Sequence, residues 1–152
     1  MKDILGNIAW NFDQDKIKSI DDFNKEIKQY QIDIKEEDIW NSSDMVVEGP
    51  TVDIQYMVWV KGRQEIGENE TLIDDDEDFD EGEAEDGMYQ VEIVCRLKAD
   101  NGKNFTALEL MYKLHKQMQT KYLGDHTFFE GLTADDNEAD ENVPFFHMDC
   151  GS

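Results

Sequence analysis

The stretch TVDIQYMVWV, residues 51–60, decides the fold. Every second residue is apolar, and β-branched and aromatic side chains of this kind are enriched in strands. Because successive side chains of a strand point to opposite faces, we expect one fully apolar face and one mixed face. The apolar face would carry Val52, Ile54, Tyr56, Val58 and Val60, and the mixed face Asp53, Gln55, Met57 and Trp59.

A second alternating stretch, MYQVEIVCRL at residues 88–97, is a suitable partner for the first. Two long strands joined by a surface excursion form the simplest antiparallel pair. The side chains predicted to share the apolar face of this strand are Tyr89, Val91, Ile93, Cys95 and Leu97.

Two other segments have the three-and-four spacing of apolar residues that is typical of an amphipathic helix. The first follows Ser19, a good N-cap residue, and its apolar stripe is predicted to consist of Ile20, Phe23, Ile27 and Tyr30. The second follows Thr106, which forms a capping-box pattern with Glu109.

The second helix is predicted to run to about Tyr122, with Gly124 placed to stop it. Its apolar flank would carry Ala107, Leu110, Met111, Leu114, Met118 and Tyr122. Its solvated flank would carry Lys113, Lys116 and Lys121.

The remaining apolar stretches complete the predicted order of elements. Residues 4–12 are predicted as a strand or an irregular arm, and residues 126–132 and 143–149 as two short strands around an acidic loop. The order, roughly β-α-ββ-β-α-ββ, predicts an α+β fold with a mainly antiparallel sheet and two helices packed on one face. With 152 residues the chain fits a single domain, 1–152, with acidic flexible loops at about 65–87 and 133–142.

The charge balance limits the possible partners. The chain has 37 Asp and Glu against 14 Lys and Arg, a formal net charge of −23. Such a field repels nucleic-acid phosphates and anionic membranes and attracts basic proteins. No stretch approaches the roughly 20 apolar residues of a membrane span, and the first residues lack the apolar run of a signal peptide. We therefore expect a cytoplasmic protein with a basic protein partner, no nucleic acid and no membrane; acidity that serves only solubility is an equal alternative.

Two acidic segments and one tryptophan are the candidate partner-binding residues. Residues 74–86 hold ten carboxylates in thirteen positions, and such dense like charge predicts a flexible, solvated loop. Either this segment mimics polyphosphate for a basic cleft or it is a solubilising insertion. Trp59 is a candidate interface anchor because it falls on the mixed face of its strand. The candidate docking charges are Asp74, Asp75, Asp76, Glu77, Asp78, Asp80 and Glu81 in the first segment, and Asp135, Asp136, Glu138, Asp140 and Glu141 in the second.

The first acidic segment partly matches a calcium-binding EF-hand loop. Asp74, Asp76, Asp78, Asp80 and Glu85 fall at the ligand positions of that loop. However, Phe79 stands where the turn requires glycine, and no helices are predicted on either side. We therefore predict no metal site, and no sequence feature indicates a cofactor.

Catalytic residues are not predicted. The histidines His115, His126 and His147 lack metal-ligand spacing, and each is expected to be structural. The two cysteines, Cys95 and Cys150, are expected to be reduced thiols. An enzyme that used Cys150, His147 or an assembled pair of carboxylates remains an alternative. A thiol at Cys150 with His147 as its base has only weak support from their spacing near one end of the chain.

The α+β outline and the acidic loops 74–86 and 135–141 resemble the immunity proteins that protect bacteria from their own polymorphic toxins. The resemblance implies a stoichiometric inhibitor whose acidic side chains occupy the basic substrate groove of a nuclease-type toxin, with aromatic anchors setting specificity. The alternative is an adaptor or structural domain without catalytic activity.

Overall fold

The computed structural model describes residues 2–14, 17–73, 84–140 and 142–152. The described elements comprise two α-helices, eight strands and a 3-10 turn at Arg63–Glu65. The helices are α1 (Ile20–Lys35) and α2 (Ala107–Gln119). The strands are β1 (Trp10–Asn11), β2 (Met45–Val47), β3 (Thr51–Val60), β4 (Glu70–Leu72), β5 (Tyr89–Lys98), β6 (Phe105–Thr106), β7 (Phe128–Ala134) and β8 (Phe145–Gly151).

Six strands form one sheet in the order β1-β7-β8-β3-β5-β4, and β2 pairs with β6 in a small second sheet. Every neighbouring pair is antiparallel except β3 and β8, which run parallel. The predicted α+β class is therefore confirmed. The predicted pairing of the two long strands is also confirmed, since β3 and β5 pair without interruption from Thr51↔Lys98 to Val60↔Tyr89.

The core lies between the apolar face of the sheet and the two helices. The predicted apolar residues of β3 are all buried, and so are Val91, Ile93, Cys95 and Leu97 of β5. The helices cover this face with buried side chains that follow the predicted stripes: Phe23 and Ile27 of α1, and Ala107, Leu110, Met111, Leu114 and Met118 of α2.

The opposite side of the sheet, which we call the open face, carries the alternate residues of the same strands. These side chains are exposed or half-buried along β3 and β5, with Phe145 of β8 an enclosed exception. Strand register aligns five of them in one row across five strands: Thr133, His147, Gln55, Val94 and Thr71.

The helix caps agree in part with the sequence. Ser19 Oγ accepts a hydrogen bond from the Asp22 amide at 3.1 Å, as predicted, but Ile20 is 37% exposed and does not join the core. Thr106 Oγ1 accepts from the Glu109 amide at 3.1 Å. The Glu109 carboxylate binds the amide of Asp100 instead of returning to the cap, so only half of the predicted capping box forms.

Three other expectations were wrong in detail. Strand β4 lies inside the predicted loop 65–87, because Glu70–Leu72 pair with the edge of the longer strand β5. Helix α2 ends at Gln119, so Tyr122 leaves the apolar flank and is 56% exposed. The side chain of Lys121, expected in solvent, is only 2% exposed.

Candidate functional site

Trp59 forms one wall of a cavity of about 750 Å³ near the end of β3. The amide of Trp59 donates to the Tyr122 carbonyl at 2.8 Å, which ties the chain after α2 to the edge of β3. Gly124 then passes against the indole, so closely that a Cβ there would lie 3.3 Å from Trp59 Nε1. The half-buried indole is thus held by backbone contacts. We call this space the Trp59 cavity.

The lining of the Trp59 cavity combines aromatic and acidic groups. Tyr122 and Met88 add apolar surface beside the indole. Lys121 also lines the cavity, but its ammonium group is 2.7 Å from Glu70 and turned into the protein. Aromatic faces and carboxylates are the groups that bind lysine and arginine side chains. The carboxylates that line the cavity are Glu65, Glu85, Asp86 and Asp125.

The end of the first acidic segment is fixed at this cavity by a tight turn. Glu85 and Met88 exchange backbone hydrogen bonds of 2.8 and 2.9 Å. Between them, Asp86 and Gly87 both have positive φ, 52° and 78°, as a type I′ hairpin turn requires. The dipeptide Asp86-Gly87 is a recognised signal for this turn, which the sequence reasoning missed. The candidate docking residues Asp74, Asp75, Asp76, Glu77, Asp78, Asp80 and Glu81 lie outside the described residues, as does most of the EF-hand-like loop.

The second acidic segment is partly structural. Asp135 Oδ1 accepts from the amides of Asn137 and Glu138 at 3.1 and 3.3 Å, and Oδ2 lies 2.7 Å from His147 Nε2. The hydrogen bond with His147 is the main reason why the pKa of Asp135 is lowered. Asp135 therefore shapes the turn, whereas Asp136, Glu138 and Asp140 are exposed. Glu141 lies outside the described residues.

The described end of the first acidic segment and the described part of the second lie at opposite ends of β3. The amide of Asp135 donates to the Phe145 carbonyl, and Phe145 pairs with Asp53, six positions before Trp59. At about 3.3 Å per residue this separation is roughly 20 Å. The fold thus brings Trp59 together with Glu85 and Asp86, but it does not bring the second segment to the same place.

Cys150 and His147 are not brought together. His147 faces Asp135 and the open face, whereas Cys150 packs against the core on the other side of β8. Burial, assisted by Asp149 and Glu130, raises the pKa of the Cys150 thiol to about 12. Burial likewise raises the pKa of Cys95 to about 12, and both cysteines are free, as predicted.

The other two histidines differ in their surroundings: His115 is buried, whereas His126 is exposed. His115 is 2% exposed, and its Nδ1 accepts a hydrogen bond from Trp10 Nε1 at 3.2 Å. Burial lowers the pKa of His115, which favours the neutral ring. His126 lies near the surface, with Nε2 3.4 Å from Asp125 Oδ1.

A buried ion pair that includes Lys121, one of the residues that line the Trp59 cavity, was not foreseen. Glu70 of β4 binds Lys121 at 2.7 Å, the Gly67 amide at 2.7 Å and the Tyr56 hydroxyl, and the Glu70 side chain is 1% exposed. Burial alone would raise the pKa of Glu70, but the bonds from Lys121, Tyr56 and Gly67 outweigh it and lower the pKa. Because every oxygen has a donor, the pair stabilises the junction between β4 and the end of α2.

Within the described ranges, no group of three or more His, Cys, Asp or Glu side chains is arranged to hold a metal ion. Neither α1 nor α2 has the length and apolar character needed to cross a membrane. Comparisons with protein-family models, curated proteins and solved structures found no match to this chain.

Proposed function

We propose that this protein is an acidic, protein-binding inhibitor: an immunity protein that neutralises a basic, nuclease-type toxin. The Trp59 cavity carries the proposal, because its aromatic walls and carboxylates fit a lysine or arginine side chain of a basic partner. The net charge of −23 would steer such a partner to the encounter. The cavity would then provide the specific contact, since buried tryptophan and tyrosine are frequent hot spots of interfaces.

The proposal also explains the position of the first acidic segment. Glu85 and Asp86 hold its described end at the mouth of the cavity. A cation bound against Trp59 would therefore lie beside Glu85 and Asp86, which end the segment with the highest density of carboxylates in the sequence. The rigid indole would give specificity, and the carboxylates would give attraction.

The first test is recovery of a partner from a lysate of the source organism at low and high salt. The bound proteins are identified by mass spectrometry, and a basic candidate is purified and assayed for nuclease activity. We expect activity to fall in proportion to added protein and to vanish at one equivalent. Recovery that does not depend on salt, or a partner whose activity is unaffected, would contradict the proposal.

The second test measures which surface binds that partner. Removing an interface hot spot costs 2 kcal/mol or more, so Trp59→Ala should weaken binding by about 30-fold or more. Phe128→Ala is the matched control, because Phe128 is 41% exposed and lies on β7 outside the cavity. It should change the affinity by less than about threefold. Equal, small effects of both variants, together with no effect of Glu85→Gln and Asp86→Asn, would favour the adaptor alternative, in which acidity only confers solubility.

A further inference from the structure

A second, larger groove lies at the other end of β3. It has a volume of about 1140 Å³ and runs between β2 and residues 136–140 and 142–146. Its apolar lining includes the exposed Met45, which is 47% accessible, and residues from two other parts of the chain. We call it the β2 groove. The other apolar residues that line it are Ile4, Val46, Val47, Pro50, Ala139, Val143, Pro144 and Phe146.

The charges around the β2 groove are unbalanced. Among the described residues that line it, Glu48, Asp136 and Asp140 are carboxylates and Lys2 is the one cation. All three carboxylates belong to exposed residues. An apolar floor with a negative border is complementary to a segment that carries both apolar and basic side chains.

The edge of β2 suits an extended segment. The small sheet contains only β2 and β6 among the described residues, so the other edge of β2 has no paired strand. All three residues of β2 line the groove, over a length of about 10 Å. Extended peptides commonly bind by adding a strand to such an edge, with alternate side chains entering pockets.

We propose that the β2 groove binds an extended segment of a basic protein in which apolar side chains alternate with lysine or arginine. The inference rests on the proposed function for the natural source of the segment, which would be a second contact of the same partner. Anionic ligands do not fit the negative border. A second copy of this chain is disfavoured as the occupant because two chains of charge −23 repel each other.

The test uses an acetylated and amidated seven-residue peptide of alternating lysine and valine, titrated into ¹⁵N-labelled full-length protein. The largest amide shifts should fall on residues 45–48 and 142–146. Heptalysine, which has more charge but no apolar side chain, should bind at least tenfold more weakly. A peptide of alternating glutamate and valine should cause no shifts. Equal binding of heptalysine, or shifts centred on other acidic surfaces, would overturn the inference.

Paired variants separate the groove from general acidity. Glu48→Gln with Asp140→Asn removes two charges from the groove, and Glu92→Gln with Asp149→Asn removes two from exposed positions of the six-stranded sheet. The first pair should weaken the lysine–valine peptide by at least tenfold and the second by less than threefold. Circular dichroism checks that both remain folded. Equal effects of the two pairs would overturn the inference. So would a dimer in sedimentation experiments, if the amide shifts that accompany dimer formation include Met45.

These results can be distinguished from failure of the proposed function. If Trp59→Ala impairs neutralisation of the toxin but the lysine–valine peptide does not bind the β2 groove, only the groove inference is refuted. If the peptide binds the β2 groove but no basic protein is neutralised, the groove inference is supported and the proposed immunity function is refuted.

Discussion

Replacing Lys121 by methionine should leave one of the most buried carboxylates of the protein without its cation. Lys121 Nζ lies 2.7 Å from Glu70 Oε1, and the two side chains are 2% and 1% exposed. Removing one partner of a buried ion pair costs about 3–5 kcal/mol, because the remaining charge is neither paired nor hydrated. We therefore expect Lys121→Met to lower the free energy of unfolding by that amount at pH 7.

The effect of Lys121→Met on stability should depend on pH in a definite direction. In the wild type the pKa of Glu70 is lowered from 4.5, so its contribution is present above the unfolded value and is lost as pH falls through the folded value. Without Lys121, its hydrogen bond and its charge no longer lower the pKa of Glu70, so that pKa rises relative to the wild type. The penalty of the variant is then fully present above that raised pKa and decreases on acidification. The difference between the two proteins should shrink from pH 7 towards pH 4.

The assay is urea unfolding followed by tryptophan fluorescence at several pH values. The control is Lys28→Met, because Lys28 lies 3.7 Å from Asp38 and both side chains are more than half exposed. Such a surface pair contributes between zero and about 1 kcal/mol. The reasoning is refuted if Lys121→Met costs less than about 1 kcal/mol, or if its penalty grows as the pH falls.

Three further predictions concern backbone geometry, a buried ring and a helix cap. Gly131 has φ of 122°, and a Cβ there would lie 2.9 Å from Gly6 Cα. Gly131→Ala should therefore lower the free energy of unfolding by about 1–3 kcal/mol more than Gly102→Ala does. Gly102 is the control because its φ is also positive but nothing lies within 4 Å of a Cβ there, and thermal and urea unfolding measure both variants. His115 should show the Nε2–H tautomer and a pKa below 6.5 in ¹H–¹⁵N NMR titration, and its contribution to stability should begin to fall as pH drops below 6.5; a charged ring at pH 6.5 would contradict this. Thr106→Ala should cost about 0.5–2 kcal/mol through loss of the α2 cap, whereas an unchanged urea midpoint would mean that the cap bond contributes nothing.

The sequence predicted the elements whose side chains repeat with a clear period. Residues 51–60 alternate without a break, so the faces of β3 and its pairing with β5 followed directly. Local chemistry likewise located the start of each helix, because Ser19 and Thr106 bind amides three residues ahead. In these cases the physical cause lies within a few neighbouring residues.

Features that depend on distant partners could not be predicted in this way. Strand β4 is only three residues long and begins with a glutamate, so its own sequence is too short a signal to predict a strand. It forms because β5 offers a free edge and because Lys121, 51 positions along the chain, neutralises Glu70. Similarly, Trp59 was a reasonable anchor, but its juxtaposition with Glu85 depends on a turn and on the chain after α2.

The position of β8 in the sheet determines when the sheet can be completed during synthesis of the chain. This strand lies between β7 and β3, and its parallel pairing with β3 joins segments that are about ninety residues apart along the chain. Until residues 145–151 leave the ribosome, no strand can link β7 to β3 by hydrogen bonds. The edge of β3 that later pairs with β8 therefore stays unpaired. A nascent chain would thus display an open strand edge in a strongly acidic context, and its dense negative charge would keep neighbouring nascent chains apart during that interval.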